Sequence, residues 1–298
     1  MGTDVGQHKA LVQKYLREQP FLLSAYSFVP LFLWQDFFRF YFEIIDGQLC
    51  IFAENEIGSF LSLPPLGREI SPGAARECFR RMAQRNAGSG VSRIENVDFR
   101  QRAAFPDGAA FYLRGYEFLY YKKDIIGLKG NAYKSKRFDY NHFIKIYDAA
   151  YLPFCESMAD ECLKLYDQWQ EGRKRKYADD VYRHMLSENR RIHELAMRHA
   201  VWLDLVGRVV LVGGEIKAYT FGYWIHDGIF CVLLEVSDLE CKGLPVFIFH
   251  EFCADEELAG ARFINTMDDF EMTELKRAKA LFRPVLQLPV YTVTFSEP

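Results

Sequence analysis

No two cysteines in this chain are spaced C-x-x-C, and the seven thiols (Cys50, Cys78, Cys155, Cys162, Cys231, Cys241, Cys253) follow no framework pattern. Most sit inside apolar runs such as Phe230-Cys231-Val232. An odd count without such spacing excludes a disulfide scaffold and points to buried thiols in a reducing compartment. Cys155 and Cys162 share an expected helix and read as core residues, because no second pair completes a metal site. Long apolar runs are also missing. The longest, Phe21 to Trp34, spans 14 residues and is broken by Ser24, Ser27 and Pro30, short of the roughly 20 needed to cross a bilayer. No basic stretch with a following cleavage site marks a signal peptide, so the chain is expected to be soluble and cytoplasmic, with no integral membrane segment. Positive charge is not in excess: 37 Lys and Arg against 40 Asp and Glu leave a net −3. A polyanion site must therefore be a local patch. The histidines are scattered, and neither a Ser-His-Asp order nor a His-rich cluster appears. No metal and no cofactor are expected.

What is present is a long-period repeat. The hairpin turn Asp46-Gly47 leads on to Arg93-Ile94-Glu95-Asn96, and Gly213-Gly214 leads on to Arg262-Phe263-Ile264-Asn265, an offset of about 167 residues. That period is too long for a solenoid and indicates two related domains. In the first copy, alternation over Phe40 to Ile45 and Leu49 to Ala53 predicts a hairpin on a tight turn. A third strand follows over Ile57 to Leu63, then a helix opened by Ser71-Pro72, running to Ala87 and stopped by Gly88-Ser89-Gly90. In the second copy, helices are predicted over 154–171 and 178–201, with strands over 208–213, 216–223 and 229–236. A helix over 244–258, a strand over 261–265, a helix over 269–281 and paired strands over 284–295 complete it. The reading is α/β (α+β): mixed, largely antiparallel sheets flanked by helices. The expected divisions are 1–125, a basic connector over 126–150, and 151–298.

Three constellations could carry chemistry. Lys129, Lys134, Lys136 and Arg137 fall within nine positions, with Gly130, Tyr133, Tyr140 and Asn141 interleaved. A phosphate- or RNA-contacting loop needs point charges, a guanidinium fork and aromatic faces of this kind. A charged connector paired with the acidic helices that follow explains the same residues. Next, Asn265 ends a strand, and Asp268 and Asp269 are expected to open a helix whose buried face is Leu275, Ala278 and Leu281. Capping accounts for one carboxylate; two adjacent ones could hold a substrate ammonium. Last, Glu235 ends a strand, and Glu251 lies about two turns into the next helix. Either could take a proton from an attacking amine if partial burial raises its pKa.

The element order of the second copy is similar to that of a Gcn5-related N-acyltransferase (GNAT). Acetyl-CoA-dependent members hold the pyrophosphate on a Gly-rich turn between that strand and helix. Here the turn reads Ser237-Asp238-Leu239-Glu240-Cys241-Lys242-Gly243-Leu244-Pro245, a poor anion nest, so coenzyme A is not the expected donor.

Several segments in order resemble a bacterial family related to the C-terminal domain of phosphatidylglycerol lysyltransferases. They are Ser27-Phe28 through Trp34, Leu128-Lys129-Gly130 to Lys136-Arg137 with Asn141 and Phe143, Glu235 with Glu251-Phe252, and Asn265 through Asp269 to Arg283-Pro284. That family has tandem acyltransferase-like domains and is allied to aminoacyl-tRNA-dependent peptidyl transferases. The resemblance implies transfer of an activated acyl group, aminoacyl from tRNA or from another phosphate-bearing donor, to an amine or hydroxyl on a small molecule or peptide. On it, Lys129, Lys134, Lys136 and Arg137 steer the donor, with Asn141 beside them. Asn265, Asp268 and Asp269 hold the aminoacyl amine, and Glu235 lines the reacting centre. The sequence departs from the family at Met267 (usually acidic), Val236 (usually Lys), and Glu271 and Glu274 (usually Gly). Two other readings stay open: a non-catalytic binding protein on the same fold, and an acyl-CoA-dependent N-acetyltransferase.

Overall fold

The computed structural model describes residues 4–18, 20–87, 89–176, 180–269 and 272–295. Gly88, the stretch 177–179 at the expected start of a helix, and Glu271 lie outside the described residues. In chain order the elements are α1 (Lys9–Leu16), α2 (Phe28–Leu33), β1 (Arg39–Ile45), β2 (Gln48–Glu54), β3 (Ser59–Leu61), α3 (Pro72–Arg85), β4 (Ile94–Asp98), β5 (Ala109–Tyr121), α4 (Lys122–Gly127) and α5 (Lys134–Ile146). They continue with β6 (Ala149–Pro153), α6 (Ala159–Lys176), α7 (Asp180–Arg198), β7 (Val206–Val212), β8 (Glu215–His226), β9 (Ile229–Ser237), α8 (Leu244–Ala254), β10 (Phe263–Asn265), α9 (Thr273–Ala280) and β11 (Leu286–Phe295). No helix among the described residues is long and apolar enough to cross a membrane.

The chain divides into two compact units. One comprises Met1–Phe118, Met267–Met272 and Leu286–Pro298; the other comprises Leu119–Thr266 and Thr273–Val285. In the first, β1 pairs antiparallel with β2, β2 antiparallel with β3, β3 parallel with β4, and β4 antiparallel with β11. The β1–β2 turn puts Asp46 at φ 51° and Gly47 at φ 76°, the double left-handed geometry that matches the twist of a tight hairpin. Ser71 caps α3, its hydroxyl accepting from the Ala74 N–H at 3.2 Å, with Pro72 at the first helical position. Leu49 to Ala53 of β2 are fully buried and form the centre of this core together with Ala74, Cys78 and Met82 of α3.

In the second unit β6, β7, β8 and β9 pair antiparallel in sequence, β10 lies parallel beside β9, and Leu119–Tyr121 of β5 pair antiparallel with β10. Its hairpin turn repeats the left-handed pair, with Gly213 at φ 60° and Gly214 at φ 84°. Each unit is thus a mixed, largely antiparallel sheet flanked by helices.

Four expectations change. The stretch read as a basic loop is helical: α5 seats Phe143 in a core with Val210, Ala218, Leu244, Phe247 and Ile248. The expected strand pair over 284–295 is the single strand β11, and its partner β4 belongs to the first unit. The last helix begins at Thr273, so Asp268 and Asp269 precede it and do not form its first turn. That helix has no buried residue, and Leu281 just beyond it is 46% exposed, so the expected Leu275, Ala278 and Leu281 face is not a core face.

Candidate functional site

The second unit has an opening in its sheet. Parallel pairing of β10 with β9 covers Phe263 to Asn265 against Ile229 to Cys231 and then stops. On its other side β9 keeps its partner, with Thr220 opposite Glu235 and Ala218 opposite Ser237. From Val232 onward, β9 therefore has a ladder on one side and, among the described residues, none towards β10. Thr220 secures the remaining ladder, its buried hydroxyl donating to the Leu234 carbonyl at 3.0 Å.

Glu235 lies on this one-sided stretch. Solvent reaches its side chain while both strand neighbours, Leu234 and Val236, are buried. The surrounding protein withholds much of the hydration a carboxylate needs and pushes its carboxyl up to about 8. The buried Cys253 thiol of α8 feels the Glu235 charge. Burial, with the Glu235 charge second, raises that thiol well above its ordinary value, so it is inert. Val236, where the resemblance expects a lysine, is buried opposite Tyr219.

Glu251 occupies a different setting. Its Oε1 accepts from the Tyr140 hydroxyl at 2.7 Å and lies 2.8 Å from His250 Nδ1. His250 Nε2 lies 2.9 Å from the Ile126 carbonyl. Both ring nitrogens thus face acceptors, an arrangement that only an imidazolium satisfies by donating twice. Burial opposes the charge on His250, but its bonds to Glu251 and Ile126 outweigh that and raise its pKa. The His250 hydrogen bond in turn keeps Glu251 below the usual carboxylate value, against the opposing effect of burial. Glu251, an ionised acceptor, therefore ties α8 to α5 through Tyr140, and His250 ties α8 to α4 through Ile126. Tyr140, expected from the sequence as an aromatic face of the basic segment, instead gives its hydroxyl to Glu251, and the adjacent His250-Glu251 pair is the one sequence signal of that contact.

The basic segment divides in two. Lys136 sits with its ammonium 4.7 Å from the Phe282 ring centroid, and burial lowers its pKa. Arg137 donates to the Leu128 and Gly130 carbonyls, closing the turn where Leu128 takes φ 42°. Lys129, Lys134 and Asn141 are exposed. Asn265, at the end of β10 in the second unit, is fully buried. Asp269 is buried and Asp268 half-buried in the first unit, just after Met267, which takes φ 61°. Among the described residues no cluster of His, Cys, Asp and Glu is arranged to hold a metal ion.

The N-terminus of α8 is the place where this fold would hold a coenzyme A pyrophosphate. Its N–H groups are already used. Leu244 N–H bonds Cys241 O at 3.1 Å, Pro245 has none, and Val246 and Phe247 both donate to Gly243 O, at 3.1 and 3.0 Å. The turn is also packed from outside: a Cβ on Gly243 would collide with the Asp139 carbonyl and approach Phe143 Cβ at 3.1 Å. Helix α5 covers the position, and these residues do not fit the pyrophosphate.

The sheet that opens beside β9, with a helix following, is that of GNAT-like acyltransferases, and solved structures share it. A tandem GNAT protein from the clavulanic acid biosynthesis pathway matches 98% of this chain and 97% of its own, at 10% identity and a TM-score of 0.52. L-PGS from Bacillus licheniformis matches 97% of this chain and 92% of its own, at 18% identity and a TM-score of 0.70. A conserved protein of unknown function from Bacteroides thetaiotaomicron VPI-5482 matches 99% of both chains, at 22% identity and a TM-score of 0.86. At these identities the likeness is one of fold. No curated protein matches the sequence. The chain belongs to the family described as phosphatidylglycerol lysyltransferase, C-terminal, whose model matches residues 20–294.

Proposed function

We propose that this protein transfers an activated acyl group, aminoacyl from a tRNA ester, to an amine or hydroxyl acceptor, with Glu235 as general base. The observation that carries the reading is the position of Glu235, an exposed carboxylate between buried neighbours on the stretch of β9 that has lost its parallel partner, where the surrounding protein raises its carboxyl. A base of that strength is matched to an ammonium or hydroxyl nucleophile near neutral pH. Membership of the lysyltransferase family supports the reaction class. Glu251 has no free proton-accepting role in this scheme, being ionised and engaged by His250 and Tyr140. The exposed Lys129, Lys134 and Asn141 are assigned to the donor's phosphates, with Lys136 and Arg137 shaping that segment. Asn265 is assigned to the aminoacyl ammonium in the second unit, and Asp268 and Asp269, in the first unit, are each assigned to holding an ammonium there. The sequence is read as tandem acyltransferase-like copies, over 1–125 and 151–298 with a basic connector over 126–150, and the second copy carries the chemistry.

The test is transfer of radiolabelled amino acids from a charged tRNA pool to a panel of amine and hydroxyl acceptors. Transfer by the wild type that is lost in Glu235→Gln is the expected result. Undiminished transfer by Glu235→Gln overturns the assignment of the base. Val236 favours a second reading, a binding protein that kept the fold, because a buried valine contributes no cation to a developing oxyanion. Absence of transfer from every donor, with charged tRNA still bound, supports that reading.

A further inference from the structure

At the other end of β10 from the opening, the second unit carries a compact basic pocket that none of the above uses. It has a volume of about 350 Å³ and is lined by Tyr121, Lys122, Lys123, Ile126, Ala259, Ala261 and Arg262. Three of these side chains are cationic and none is a carboxylate, in a chain whose overall charge is −3. The cations are held in place. Tyr121 and Phe263 are register partners across β5 and β10, and their rings stack with centroids 5.1 Å apart. Lys123 Nζ lies 5.0 Å from the Tyr121 centroid, and Arg262 Cζ lies 5.1 Å from that of Phe263. Cation–π contact of this kind fixes long side chains that would otherwise be free. Lys122 donates to the Leu258 carbonyl, and burial lowers its pKa. Lys123 and Arg262 are exposed, so their remaining donors face solvent.

We infer that this pocket binds a phosphoryl group, with the Arg262 fork and the Lys123 ammonium as its ligands. A planar guanidinium takes two phosphoryl oxygens at once, and an ammonium beside it supplies a point charge. The volume suits a nucleotide-sized ligand. That phosphoryl group can belong to a free nucleotide or to an RNA chain; the chemistry is shared. Asn265 ends the β10 pairing and Glu235 lies four residues beyond its partner Cys231 on the parallel strand. At about 3.3 Å per residue the pocket and Glu235 are on the order of 20 Å apart along the strands. The pocket is therefore a holding site, separate from the reacting carboxyl.

Equilibrium binding is measured with inorganic phosphate, adenosine monophosphate and a 5′-phosphorylated oligoribonucleotide. The expected result is binding of at least one of these, weakened roughly tenfold or more in Lys123→Gln/Arg262→Gln. For the oligonucleotide, the slope of log affinity against log salt should fall by about one for each cation removed. Competition by the mononucleotide identifies a terminal-nucleotide site, and its failure to compete identifies the RNA backbone as the phosphoryl source. Arg262→Lys, which keeps the charge and loses the fork, should retain the salt slope while losing affinity. Failure of all three ligands to bind, or wild-type binding by the double variant, overturns the inference. Glu235→Gln should bind like the wild type, so this result stands or falls apart from the transfer reaction.

Discussion

The backbone carbonyl of Asp139 occupies the space into which any β-carbon on Gly243 would project. Gly243 also takes φ 90°, so a side chain there is strained as well as obstructed. Gly243→Ala is expected to destabilise the protein by about 2 kcal/mol or more in urea unfolding. Gly213→Ala, left-handed at φ 60° but with nothing within 4 Å, serves as the control and should cost about 1 kcal/mol. Equal costs would show that α5 does not press on this turn.

The same contact bears on coenzyme A. With every available N–H of the first turn of α8 bonded internally, acetyl-CoA should give no shift in thermal midpoint at millimolar concentration. A reproducible rise would mean that the α5–α8 contact opens to admit it.

Glu235 sets two pH effects. As a base it acts when deprotonated, so kcat/KM for transfer should rise with pH through about 8. Its folded value lies above the ordinary 4.5, so the folded state holds the proton more tightly than the unfolded chain does. Stability from this group is full below about 4.5 and is lost as pH rises toward 8. Glu235→Gln should therefore raise the thermal midpoint at pH 8 and change it little at pH 4.5. A fall at pH 8 would contradict the raised value.

Two histidines of the second unit, His193 buried and His250 half-buried, should respond to pH in opposite directions. His250 is raised from 6.5, so its contribution is full below that pH and is lost as pH rises through its folded value. His193 is buried beside the Tyr219 hydroxyl at 2.8 Å and pushed down to about 3. Its contribution is present above 6.5 and is lost as pH falls toward 3. Ring-proton NMR should find His250 titrating above 6.5, and Glu251→Gln should lower that midpoint. His193 should remain neutral to well below pH 5. Titration of His193 near 6.5 would mean that solvent reaches it.

The two hairpins were legible because Asp46-Gly47 and Gly213-Gly214 meet a backbone demand that few residue pairs can. The strands around Glu235 were legible because their apolar runs are long and bounded by turns. Helix α5 was not. Its core-facing set, Phe143 buried and Tyr140 and Tyr147 half-buried with Tyr133 before it, is spread thinly among Lys134, Lys136, Arg137 and Lys145, so charge obscured the helical period. Nor did the residues over 286–295 reveal their partner, since strand alternation marks faces and does not say which strand lies alongside. The placement of Asp268 and Asp269 was misread for a related reason: the helix after them starts at Thr273, past the point where a cap would be expected. Glu251 and Glu235 looked alike as isolated carboxylates. Only the contacts of His250 and Tyr140 separated them.

The strand β11 gives this protein a constraint in time. Its residues are the last described in the chain, yet they lie against β4 in the first unit, closing the edge that Ile94 to Asp98 would otherwise present. During synthesis the first unit must wait with an open edge until Leu286 to Phe295 have followed the whole second unit off the ribosome. A fragment that stops before Leu286 carries that edge permanently, so a cut between the two units does not leave the first one self-sufficient.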